Sequence, residues 1–119
     1  MTESQLLTID EPQAKFVDVT EIMQEEIKKL VQHNINGKCQ SIFKKVYSRN
    51  PEAKIVIKYT IIKNKQGRYE ADFNFNADGE EFIVSSHQGF KIATDLVSHA
   101  FDKWNRKVLG IFGRKRLFK

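Results

Sequence analysis

Between residues 69 and 76 the chain alternates, with Tyr69, Ala71, Phe73 and Phe75 on one side and Glu70, Asp72, Asn74 and Asn76 on the other. A period of two predicts a strand buried on one face. Ala77-Asp78-Gly79-Glu80 predicts a tight hairpin, because Asp-Gly supplies the positive φ that such turns require. Residues 81–86 return as a second strand with Phe82 and Val84 on its apolar side. Beyond Gly89 the rhythm becomes three and four: Phe90, Ala93, Leu96, Val97, Ala100, Phe101, Trp104 and Val108 form one stripe along a helix of about five turns. That stripe needs a sheet to cover it. The other side of the helix carries Lys91, His99, Lys103, Arg106 and Lys107.

Upstream, residues 6–10 predict a short strand that ends at Glu11-Pro12-Gln13, since proline donates no ladder hydrogen bond. Asp18 or Thr20 is positioned to cap a helix whose stripe is Met23, Ile27, Leu30, Val31 and Ile35. Asn34-Ile35-Asn36-Gly37 interrupts or ends it, because Asn and Gly tolerate a left-handed cap. Cys39, Ile42, Phe43, Val46 and Tyr47 then mark a second amphipathic segment, either a kinked continuation or a separate helix, with Lys38, Lys44, Lys45 and Arg49 outside. Asn50-Pro51 closes it. Residues 53–63 form the longest β-prone run, and Asn64-Lys65-Gln66-Gly67 turns it back towards Arg68.

The order β-α-(α)-β-β-β-α predicts an α+β fold, a two-layer sandwich in which helices pack on one face of a four-stranded sheet. The last three strands form an antiparallel meander, and the first pairs in parallel with the second through the helical crossover. A chain of 119 residues accommodates one such domain, 1–119, with a basic tail at about 109–119.

Charge adds a direction. Residues 1–26 hold seven acidic groups against Lys15 alone, whereas residues 103–119 hold seven basic groups and no acid, so the net charge of +5 is concentrated away from the N-terminus. Such an end attracts polyanions or serves as a solvated tail. No apolar run approaches the roughly 20 residues that cross a membrane, and Met1-Thr2-Glu3-Ser4 lacks a signal peptide's basic start, so the expectation is a soluble cytoplasmic protein without a membrane partner.

Catalytic chemistry finds no foothold. His33, His87 and His99 are scattered, Cys39 has no partner for a zinc site or a disulfide, and there is neither a nucleophile elbow nor a glycine-rich phosphate loop. Asp72, Asp78, Glu80 and Glu81 gather around the hairpin in the manner of a solvated strand edge. The expectation is a binding protein rather than an enzyme, with no metal, no cofactor and no small-molecule substrate.

Three segments carry a resemblance: Tyr69-Glu70-Ala71-Asp72-Phe73-Asn74-Phe75-Asn76-Ala77-Asp78-Gly79, then Phe82-Ile83-Val84-Ser85-Ser86, then Phe90-Lys91-Ile92-Ala93-Thr94. Together with Val19-Thr20 before the first helix, they resemble the ribosome hibernation-promoting factor family, which includes the ribosome-associated inhibitor A, in its short form. The resemblance spans residues 6–107. It implies a stress-response protein that binds the small ribosomal subunit through its ribosomal RNA near the decoding channel and blocks translation. Phe90 stands where the family has Tyr, Ile92-Ala93-Thr94 where it has Ala-Ile-Asp, His99 where Lys is usual and Asp102 where a basic residue is common; residues 36–49 are an insertion relative to short members.

The candidate RNA-binding residues are Lys91, Lys103, Arg106 and Lys107 of the last helix, Arg114, Lys115 and Arg116 of the tail, and Lys38, Lys44 and Lys45 of the second helical segment. Lysine and arginine lined up on a rigid scaffold bind phosphates by charge and shape without base readout. Tyr59 and Tyr69 would stack bases only if they faced outwards, and alternation puts them in the core. Two alternatives stand beside this reading: a double-stranded RNA-binding domain, whose order α-β-β-β-α is close, and a protein-interaction module that presents an open sheet edge.

Overall fold

The computed structural model describes residue 7 and residues 9–117, with residues 109–117 as backbone only. Its elements are β1 (Gln13–Val17), α1 (Glu21–Asn36), α2 (Gln40–Arg49), β2 (Ile55–Lys63), β3 (Tyr69–Ala77), β4 (Glu80–Phe90) and α3 (Ala93–Leu117). The four strands form one mixed sheet in the order β1-β2-β3-β4. β1 runs parallel to β2, and the β2–β3 and β3–β4 pairs are antiparallel, as the crossover and the two hairpins require. The fold is therefore the expected α+β architecture, with α2 a separate helix.

Register explains the core. Ile57 lies opposite Phe75, Tyr59 opposite Phe73, and Phe73 in turn opposite Val84, so the inward positions of three strands fall in rows. Tyr59, Phe73 and Phe75 stack in succession, and Trp104 continues the stack on Phe75 with its ring 4.2 Å away and nearly parallel. Phe101 closes the cluster edge-on to both Phe73 and Phe75. Leu96, Val97, Ala100, Phe101, Trp104 and Val108 are all buried, which identifies the inward side of α3 as the stripe read from the sequence. Ile27, Val31 and Ile35 of α1 and Ile42, Phe43 and Val46 of α2 complete the helical layer.

The first strand lies later than expected. Residues 13–17 pair with residues 58–62, whereas Leu7, Ile9 and Asp10 are not in a strand; Leu6 and Thr8 lie outside the described residues. Pro12 precedes the strand instead of ending one. Upstream, the Leu7 N–H donates to Gln40 Oε1 at 2.9 Å and Gln40 Nε2 donates to the Leu7 carbonyl at 3.0 Å, so a side chain of α2 takes the place of a ladder.

Boundaries of the helices also differ in detail. Thr20 is the cap of α1, accepting from the Met23 N–H at 3.2 Å, while Asp18 occupies a bend at φ 59°. Gly37 ends α1 at φ −111°, not in the left-handed region, and its N–H reaches the His33 and Asn34 carbonyls. Phe90 belongs to β4, paired with Tyr69, rather than to the start of the last helix. Between Tyr69/Ala71 and Phe90/Ser86 the register shifts, and Gly89 at φ 84° makes the bulge that carries β4 past the expected end at Ser86. α3 then runs for 25 residues, about 37 Å, well beyond Val108.

Candidate nucleic-acid interface

α3 positions the main group of cations. Its buried stripe fixes the rotation of the helix, and Lys103, Arg106 and Lys107 consequently emerge on exposed turns. Residues three and four apart on a helix are surface neighbours, their Cβ atoms about 5–6 Å apart, so these three make one patch. Among the described residues none of the three is in an ion pair. Arg114, Lys115 and Arg116 lie on the same helix beyond the described side chains; their backbone extends the axis of α3.

The other candidates are distributed differently. Lys91 is exposed in the bend before α3, so ten residues of helix, about 15 Å, separate Ala93 beside it from Lys103. The structure does not bring Lys91 into the patch. Lys44 is exposed on α2 and Lys45 half-buried, both in the helical layer. Lys38, in the connection between α1 and α2, donates to Asp102 Oδ1 at 2.8 Å, a pair that ties this connection to α3 and neutralises Lys38. Asp102, one turn before Arg106, is thus the acid that interrupts the patch. His99 is not a free cation site either: half-buried, it packs on the Phe90 ring at 5.4 Å. Tyr59 and Tyr69 are buried and offer no base platform; burial pushes the Tyr59 phenol up to about 12.

Among the described residues no helix covers the opposite face of the sheet, which carries a polar network that sequence reasoning missed. His87 lies between two carboxylates of β3, Nδ1 at 3.1 Å from Glu70 and Nε2 at 2.9 Å from Asp72. A protonated ring donates to both, and these bonds raise the pKa of His87 above its usual 6.5. Glu70 is held low by the Asn64 amide, which donates at 2.8 Å, and by His87. Burial raises Asp72, but hydrogen bonds from Ser85 and His87 outweigh it and the net shift is downwards. The alternation did place Glu70 and Asp72 on this face. His87 escaped because β4 was read as ending at Ser86.

Among the described residues no cluster of His, Cys, Asp and Glu suits a metal ion. Burial pushes the Cys39 thiol up to about 12, away from the thiolate form that acts as a nucleophile. No described helix is long and apolar enough to cross a membrane. In comparisons with known proteins, no family model matches the chain and no curated protein matches it.

Proposed function

We propose that this protein is a ribosome-associated hibernation factor that binds the small ribosomal subunit through its ribosomal RNA near the decoding channel, in the cytoplasm, and acts by occupying that site rather than by catalysis. The observation that carries the reading is the Lys103, Arg106 and Lys107 patch, which is exposed on a rigid helix and unpaired among the described residues. A helix anchored by Trp104 holds these charges at fixed spacing, so binding phosphates requires little further ordering of the scaffold. The parallel β1 favours this reading over a double-stranded RNA-binding domain, whose order α-β-β-β-α has no strand in that position.

Changing Arg106 and Lys107 together to Gln tests the patch. Both lie off the buried stripe, so the fold should survive, and each charge removed should eliminate a counterion-releasing contact. The slope of log affinity against log salt for ribosomal RNA should flatten by roughly one to two units. Unaltered affinity and slope would mean that this face is only solvated, and would shift attention to Lys44 and Lys45.

A further inference from the structure

The acid that interrupts the α3 patch also holds a fourth cation at its border. Lys38, in the connection between α1 and α2, donates from Nζ to Asp102 Oδ1 at 2.8 Å. Asp102 lies one turn before Arg106, and Cβ atoms so placed on a helix are about 5–6 Å from each other. Asp102 therefore has two cations in reach and pairs with the one remote in sequence: among the described residues Arg106 is in no ion pair. The Lys38 and Asp102 side chains are 41% and 44% exposed, and an ion pair that open to solvent is weak and screened by salt. An anion that reaches Arg106 thus meets an ammonium group held only loosely by its carboxylate.

We propose that Lys38 is a latent fourth phosphate ligand of the α3 patch, and that Asp102 is the brake on it, the group an RNA phosphate displaces to recruit Lys38. The inference rests on the ribosomal-RNA reading above. A phosphate oxygen arriving beside Arg106 offers Lys38 one negative charge in place of another, so the ammonium group stays compensated throughout the exchange. Asp102, already 44% exposed, turns out to solvent. Until that exchange the carboxylate repels incoming phosphate and withholds one cation from it. A purely structural tie between the α1–α2 connection and α3 makes a different prediction. Lys38→Gln and Asp102→Asn each break the same bond, so a tie would leave RNA binding unchanged in both, whereas a brake moves binding in opposite directions.

Binding of the full chain to purified small-subunit ribosomal RNA, measured between about 50 and 200 mM salt, tests the proposal. Asp102→Asn should bind more tightly than the wild type, by a factor that narrows as salt rises. Lys38→Gln should bind more weakly and flatten the slope of log affinity against log salt by just under one unit, so the wild type's advantage grows about threefold from the highest salt to the lowest. A cooperative melt of each variant shows that it is folded. Acylation of lysine amines, read by mass spectrometry with and without the RNA, should show Lys38 shielded together with Lys103 and Lys107. Lys58, exposed on the opposite sheet face, should react as in the free protein. An Asp102→Asn variant no tighter than the wild type, a Lys38→Gln variant that binds like it, or Lys38 unshielded in the complex would each overturn this inference and leave the ribosomal-RNA reading standing. Wild type that fails to bind the RNA at low salt would overturn both.

Discussion

Trp104 shows what a single residue contributes to holding α3 at its angle over the sheet. Its ring is wholly buried and stacked on Phe75, with Phe101 beside it. Trp104→Ala should therefore cost about 3–5 kcal/mol in denaturant unfolding, typical of a large buried aromatic. A cost below about half a kcal/mol would contradict the packing of this stripe. The indole Nε1 is buried with no hydrogen-bond partner among the described residues, so Trp104→Phe, which removes an unpaired donor and keeps an aromatic ring, should cost much less than Trp104→Ala.

His87 makes a prediction of a different kind. Its pKa is raised on folding, so the stabilisation it supplies is complete below about pH 6.5, the unfolded value, and is lost as pH rises through the folded one. Glu70 and Asp72 have lowered pKa values, so their share is present at neutral pH and is lost only as pH falls through the folded carboxylate values. The stability difference between wild type and His87→Gln should accordingly be larger at pH 5.5 than at pH 8.5. The side chain of His87 is 53% exposed, so solvent screening keeps the difference small. Denaturant unfolding of both proteins at the two pH values checks the sign, and a difference that grows with pH would contradict the network.

Elements differ in how far their sequence betrays them. β3 was legible because Tyr69, Ala71, Phe73 and Phe75 alternate without exception, and the inward side of α3 because Leu96, Val97, Ala100, Phe101 and Trp104 keep a helical period over several turns. β1 was not, since its five residues include only a partly buried Phe16 and an exposed Val17. What selects residues 13–17 is pairing with β2 and the capture of Leu7 by Gln40, both remote in sequence. The end of β4 was hidden for a related reason. Phe90 fits a helical stripe as well as a strand, and Gly89 decides between them by taking a positive φ against Arg68.

That glycine can be tested as an element boundary. Gly67 and Gly89 both have positive φ, at 78° and 84°, where a Cβ costs roughly 1–2 kcal/mol. A Cβ on Gly67 meets nothing, but one on Gly89 would sit 3.1 Å from Arg68 Cδ and 3.2 Å from its Cβ. Gly89→Ala should thus destabilise more than Gly67→Ala in thermal unfolding. Equal losses would mean that the close approach to Arg68 has no energetic weight.

At the scale of the whole molecule, both faces carry mixed charge. The helical layer presents Lys103, Arg106, Lys107 and Lys44 together with the acids Glu25, Glu26 and Asp95, while the open sheet face carries Glu70, Asp72 and Glu81 beside Lys15 and Lys58. The candidate cations were legible as residues, because they lie off an apolar stripe, but not as a site. The separation of Lys91 from Lys103, the neutralisation of Lys38 by Asp102 and the packing of His99 on Phe90 all arise from tertiary contacts. Among the described candidates, Lys103, Arg106 and Lys107 are the ones that share one exposed patch, on α3.

The most direct measurement is sedimentation of the protein through a density gradient with purified small ribosomal subunits, repeated at increasing salt. The wild type should travel with the subunits at low salt and be released as salt rises, and Arg106→Gln with Lys107→Gln should be released at lower salt than the wild type. Wild-type protein that stays at the top of the gradient at low salt, with small subunits and with whole ribosomes alike, would contradict the ribosome reading.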